Sequence, residues 1–165
     1  MSKKTYKIIS LSGVVCFPEM PVNCNIGRDL SKNAIHAAFD LEEDIVVVTQ
    51  FSSEANENFW ANVSHVGTIS RIKSIQPDRS NSGTLKVLIE GKTRVKVLGI
   101  TYGKSYITCE VEEIASFCDD KEEQNILMSN LKEKFVELSA SDRRYNAEIV
   151  RMIGGLNDAD ALVDS

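Results

Sequence analysis

The sequence predicts an α+β fold: a small, curved and partly closed β-sheet of about six strands with one inserted helix, followed by a helical region. Three observations carry this. Apolar and polar residues alternate through much of the first 118 positions, most clearly over 85–97. Beyond 118 the period changes, and Leu127, Leu131, Phe135 and Leu138 fall at helical spacing. The charge divides at the same place. Residues 1–118 balance 13 basic against 13 acidic side chains, whereas 119–165 hold 6 basic and 11 acidic and so carry the whole net charge of −5. The expected units are therefore a β domain over 1–117 and a helical subdomain over 118–165.

The elements follow in order. "TYKIISL" reads as a short strand. "GVVCFPEMPVNCNI" continues as extended chain. Pro18 and Pro21 lack backbone donors and keep Phe17 and Met20 out of helical geometry, which suits an edge or crossover path. "DLSKNAIHAAFD" is a helix with Asp29 as N-cap and Leu30, Ala34, Ala37, Ala38 and Leu41 near one stripe. "DIVVVTQ", a β-branched apolar run, is a buried central strand. "FSSEANENFWANVS" is a long polar loop that holds Phe51, Phe59 and Trp60. "HVGTISRIKSIQ" is a strand and "PDRSNSGT" a turn-rich connection. In "TLKVLIEGKTRVKVLGI", "EGK" separates two alternating runs, so a hairpin is expected. "SYITCEVEEI" adds a strand with Ile107, Cys109 and Val111 on one face. Asp119 with Glu122 resembles a capping box. "SDRRYNAEIVRMIGG" is a helix closed by Gly154 or Gly155, and Asn157 or Asp158 opens a last helix that runs to Ser165. A helix that ends with the chain points to a fragment of a longer protein.

Composition and motifs exclude several functions. With 42% hydrophobic and 26% charged residues the chain is globular rather than disordered. It has no apolar run near the 18–20 residues that span a bilayer and no signal-peptide pattern, which points to a cytoplasmic protein with no membrane partner. Cys16, Cys24, Cys109 and Cys118 lack the close pairing of zinc ligands, and with only His36 and His65 no metal site is expected. There is no GxxxxGK[ST] phosphate loop, no GxSxG elbow and no HExxH. Cys16 with His36 or His65 is a weak nucleophile candidate, because an apolar strand raises a thiol's pKa. No catalytic residues are expected, and no cofactor in this chain. Lys86, Lys92, Arg94 and Lys96, with Tyr102 and Tyr106, form a possible nucleic-acid platform. A sequence pI near 5.1 and interleaved glutamates argue for a solvated sheet face instead. The aromatics of the 51–60 loop are either a lid on the core or an apolar binding patch.

"LSGVVCFPEMPVNCNIGRDLSKNAI" resembles the opening of the amino-terminal domain of the Lon family of ATP-dependent proteases, matching at Leu11, Val14, Val15, Phe17, Pro18, Met20, Gly27, Arg28, Ser31 and Ala34. "VGTISRI" and "GTLKVLIEGKTRVKV" are similar to two further family motifs, in the same order and at the same separations. "SLSG" departs from the Leu-Pro-Leu-Arg common at the family's start. The resemblance implies a PUA-like β pseudo-barrel followed by a helical bundle. It also implies a non-catalytic substrate-recognition and assembly-supporting domain, with the ATPase module (ATP and Mg) and the Ser–Lys protease module elsewhere in the full-length homo-oligomer. Unfolded or damaged proteins are the implied clients, and Met20, Phe51, Phe59 and Trp60 the candidate contacts. The alternatives are a free-standing Lon-domain protein and a PUA-like RNA- or DNA-binding module.

Overall fold

The computed structural model describes residues 3–52 and 58–165. The chain forms two compact units, 1–115 and 116–165. In the first, the order is β1 (Lys4–Ser12), β2 (Pro21–Ile26), α1 (Asp29–Asp40), β3 (Ile45–Gln50), a 3-10 turn (Trp60–Asn62), β4 (Val63–Pro77), β5 (Leu85–Tyr102) and β6 (Ile107–Glu113). The strands lie in the order β2-β5-β4-β3-β1-β6, and a further β5–β6 pairing closes five of them into a ring. β1 and β3 are parallel and the other pairs antiparallel. The fold class is thus α+β with a partly closed sheet.

β3 is buried on both faces, which is why its sequence reads as a continuous apolar run, and in β1 Ile8 and Ile9 likewise point to opposite buried faces. Ile9, Leu11, Ile45 and Val47 join one cluster with Ile35 of α1 and Val87 and Ile89 of β5. Ile8, Val46 and Val48 join a second with Val95, Val97, Ile107, Cys109 and Val111. On α1 the buried side chains are Ala34, Ile35 and Ala38. Leu30 and Leu41, expected on that stripe, are exposed. Small residues let the helix approach the sheet closely, and the leucines at its two ends overhang it. The N-cap position is Arg28, with no side-chain cap bond; Asp29 lies in the first turn, 3.0 Å from Lys32 Nζ.

The expected hairpin is instead one strand. β5 runs unbroken through "EGK" for 18 residues. Leu85–Glu90 pairs with β2, and Val95–Tyr102 with β6. β4 spans both halves, with register shifts between Ile69/Ser70 and Ile72/Ser74 that let the ribbon bend. Gly91 is not a turn glycine, because it lies outside the left-handed region that Gly13 and Gly83 occupy.

The second unit contains α2 (Lys121–Ser141), α3 (Ala147–Gly154) and α4 (Ala159–Asp164). α2 is capped by Asp120, which accepts from the Glu122 and Glu123 N–H groups, and not by Asp119. Asn146 caps α3 through the Ile149 N–H, so that helix starts later than its sequence suggests. Asp158 caps α4. Lys132 Nζ donates to the Gly154 and Leu156 carbonyls, tying α2 to the end of α3. Phe135 meets Tyr145 edge to face at 5.1 Å. No α2 residue is buried, and Leu127, Leu131 and Leu138 are all exposed. Three helices in 50 residues offer too little facing surface to cover them.

Candidate functional site

The Gly13–Met20 crossover is bonded to β3, β4 and β5 and inserts Cys16 into the first core cluster. Thr49 Oγ1 donates to the Val14 carbonyl at 3.2 Å and Thr68 Oγ1 to the Cys16 carbonyl at 2.6 Å. The Glu19 N–H donates to the Gly91 carbonyl at 2.9 Å, and the Gly91 N–H returns a bond to the Met20 carbonyl at 3.0 Å. Glu19 takes a φ of +60° to make this turn. Met20 is held half-buried at the end of the crossover.

Phe51 lies just beyond β3 and is 71% exposed. Phe59 and Trp60 are half-buried against the second core cluster. Trp60 stacks on His65, with ring centroids 3.8 Å apart, and His65 Nε2 lies 3.0 Å from the Trp60 carbonyl oxygen. Buried Asn62 ties the two ends of the connection together. It donates from Nδ2 to the Ser52 carbonyl and accepts from the Ser52 N–H at Oδ1, and its carbonyl takes the Phe51 N–H. The loop reading over 53–57 lies outside the described residues.

The structure therefore separates the candidates. Phe51 presents its ring to solvent, Phe59 and Trp60 support the barrel, and Met20 belongs to the crossover. Sequence reasoning missed the tie made by Asn62, because its side-chain bonds reach back ten residues to Ser52. It read Val15 only as an apolar side chain of the extended path, free to pack, and gave no role to Val66; they are 49% and 47% exposed. Both lie near the carboxyl end of β3: Val15 follows the Val14–Thr49 bond, and Val66 precedes Gly67, the partner of Val48. Phe51, Val15 and Val66 thus leave apolar surface exposed at this end of the barrel.

The other mouth of the barrel holds a cavity of about 720 Å³. Tyr6, Ile69, Val111 and Ile114 line it, with Lys4 and Glu113 at its edge. Its lining mixes these apolar side chains with charged ones and contains no nucleophile–base pair. Cys16 is buried beside Ser70, 3.5 Å away, and burial pushes its thiol up despite that hydrogen bond. Among the described residues no group of three or more His, Cys, Asp or Glu could hold a metal ion. No helix there is long and apolar enough to cross a membrane. The basic platform disperses: Lys86 pairs with Asp78 and Lys92 with Asp44. The ten-residue span from Lys86 to Lys96 along one strand corresponds to roughly 33 Å.

The family described as "ATP-dependent protease La (LON) substrate-binding domain" matches residues 5–165. The chain is 27% identical over 158 residues to Lon protease 1 of Hydrogenovibrio crunogenus, covering 96% of this chain and 19% of that protein. It is 29% identical over 163 residues to Lon protease of Clostridioides difficile, covering 96% and 20%. The N-terminal domain of Mycobacterium avium complex Lon protease superposes with a TM-score of 0.79 at 19% identity, over 98% of this chain and 80% of that one, which shows the fold. The chain thus spans about a fifth of the curated relatives' length, and their ATPase and protease modules are not in it. This chain belongs to the Lon substrate-binding domain family.

Proposed function

We propose that this chain is the non-catalytic client-recognition and assembly-supporting part of an ATP-dependent Lon-type protease, and that it binds unfolded or degron-bearing proteins. The observation that carries this reading is the match to a substrate-binding domain over 5–165. The apolar end of the barrel supplies the means. Covering Phe51, Val15 and Val66 with a client's apolar side chains gains about 25 cal/mol per Å² buried, before ordering costs. Phe51 is the principal contact, and the half-exposed surfaces of Phe59 and Trp60 extend the patch, whereas Met20, bonded at Gly91, lies level with the start of β3 and apart from it. In the full-length protein, ATP and Mg act in the ATPase module, subunits associate as a homo-oligomer, and the protein works in the cytoplasm.

The test compares binding of a denatured protein by wild type, Phe51→Ser and Phe59→Ala/Trp60→Ala, with circular dichroism to follow the fold. Phe51→Ser should weaken binding about tenfold and leave the fold intact. Unchanged affinity in both folded variants would remove this end of the barrel from consideration. The nucleic-acid alternative predicts binding that weakens steeply with salt, and the paired, dispersed lysines argue against it.

A further inference from the structure

The helical unit carries a groove that plays no part in the barrel-end reading. It has a volume of about 420 Å³ and is lined by α2 and α4 together with 118–120 before α2. Its floor is apolar and includes Leu127, Leu131 and Leu162. Leu162 is buried, but Leu127 and Leu131 are 59% and 46% exposed. Apolar side chains of α2 left in water along a groove mark a surface that suits a partner. The edge is acidic. Asp119, Asp120 and Glu123 line it, and no Lys, Arg or His is among the described lining residues. Asp120 is occupied in capping α2, which leaves Asp119 and Glu123 to face an occupant.

We propose that this groove docks an amphipathic basic segment of a client polypeptide, with leucine or phenylalanine side chains on the floor and lysine or arginine against Asp119 and Glu123. Charge complementarity selects this occupant. An acidic segment is repelled. A second copy presents a helical unit with 11 acidic and 6 basic side chains over 119–165, and so meets like charge. The mode is a helix or extended segment laid into a groove, read by its apolar anchors and sorted by its flanking charge. The proposal rests on the client-binding reading for the occupant's origin and adds a second, charge-selective site to it.

Cys118 lines the groove and is exposed, whereas Cys16, Cys24 and Cys109 are buried. Maleimide alkylation of the folded chain at neutral pH therefore reports on Cys118. Two synthetic peptides of equal length and identical leucine positions, one with lysines and one with glutamates between them, are titrated calorimetrically into the 165-residue chain. The lysine peptide should bind, lose affinity with added salt and slow Cys118 alkylation. Asp119→Asn/Glu123→Gln should weaken it about tenfold, and Leu127→Gln by a similar factor. Equal binding of the glutamate peptide, no binding, binding without protection of Cys118, or unchanged affinity in the double variant would each overturn the proposal. Protection that grows with chain concentration alone would assign the groove to a second copy. If denatured-protein binding falls in Phe51→Ser while the peptide results are negative, the groove fails and the barrel-end reading stands. If wild type binds no denatured protein, that reading fails, and the peptide titration still decides on the groove.

Discussion

Gly91 and the Phe17 carbonyl are in direct apposition: a Cβ at position 91 would stand 2.0 Å from the Phe17 oxygen. The bonds Glu19 to Gly91 and Gly91 to Met20 hold the crossover in that place. Pro18 and Pro21 limit the conformations it can adopt when released. The "FPEMP" stretch is thus a strap whose seat is a glycine some seventy residues away in sequence.

Gly91→Ala should therefore lower stability by about 3 kcal/mol, because the strap must lift and its two bonds with it. Gly99 has no atom within 4 Å of its virtual Cβ, so Gly99→Ala should stay within about 0.5 kcal/mol of wild type. Urea unfolding followed by the fluorescence of Trp60, the single tryptophan, reads the β unit directly. Equal midpoints for the two variants would contradict the strap.

Lys7 and Glu43 form an asymmetric ion pair. The Lys7 side chain is 10% exposed and the Glu43 side chain 51%. Its ammonium also lies 5.2 Å from the centre of the Tyr106 ring. Glu43→Gln leaves a buried ammonium without its counter-charge and should cost about 2 kcal/mol, whereas Lys7→Met leaves a carboxylate that water can reach and should cost about half as much. The reverse ranking in denaturant midpoints would show that burial of Lys7 is not the controlling quantity.

The buried thiols make a pH prediction. Burial pushes Cys24 up to about 11, with Cys16 nearby adding to the rise, and pushes Cys109 up to about 12 against an opposing backbone hydrogen bond at Tyr6. Their ordinary value is 9.0. In the unfolded chain these thiols lose protons from about pH 9, while the folded ones hold them. Their contribution to stability is complete below that pH and declines as pH rises toward 11–12. Cys24→Ala/Cys109→Ala should show a flatter loss of stability between pH 9 and 11 than wild type. Parallel curves would mean that the thiols stay neutral in both states.

The cap of α2 distinguishes two adjacent aspartates. Asp120→Ala should cost the helical unit about 1 kcal/mol, since two N–H groups lose their acceptor, and Asp119→Ala should cost nothing measurable. Hydrogen exchange at the Glu122 and Glu123 amides is the direct readout, with faster exchange expected in the Asp120 variant alone.

The sequence by itself determined which segments are strands or helices wherever one residue's partners share its period. β3 was legible because five consecutive β-branched residues fit a strand covered on both faces, and β6 because its alternation matches one wet face. The change from sheet to helices was legible in both periodicity and charge. The family was legible through "GVVCFPEMP", "VGTISRI" and "EGKTRVKV". Two of those motif glycines, Gly67 and Gly91, are places where backbone from elsewhere comes within 2.6 Å and 2.0 Å of a virtual Cβ. Tertiary structure alone decided what they are for. A glycine between two alternating runs looks the same whether it makes a turn or receives a strap, because the distinguishing contact is non-local. The same holds for the aromatics. Phe51, Phe59 and Trp60 share one polar stretch, and only the closed barrel decides that the last two find apolar support while the first does not.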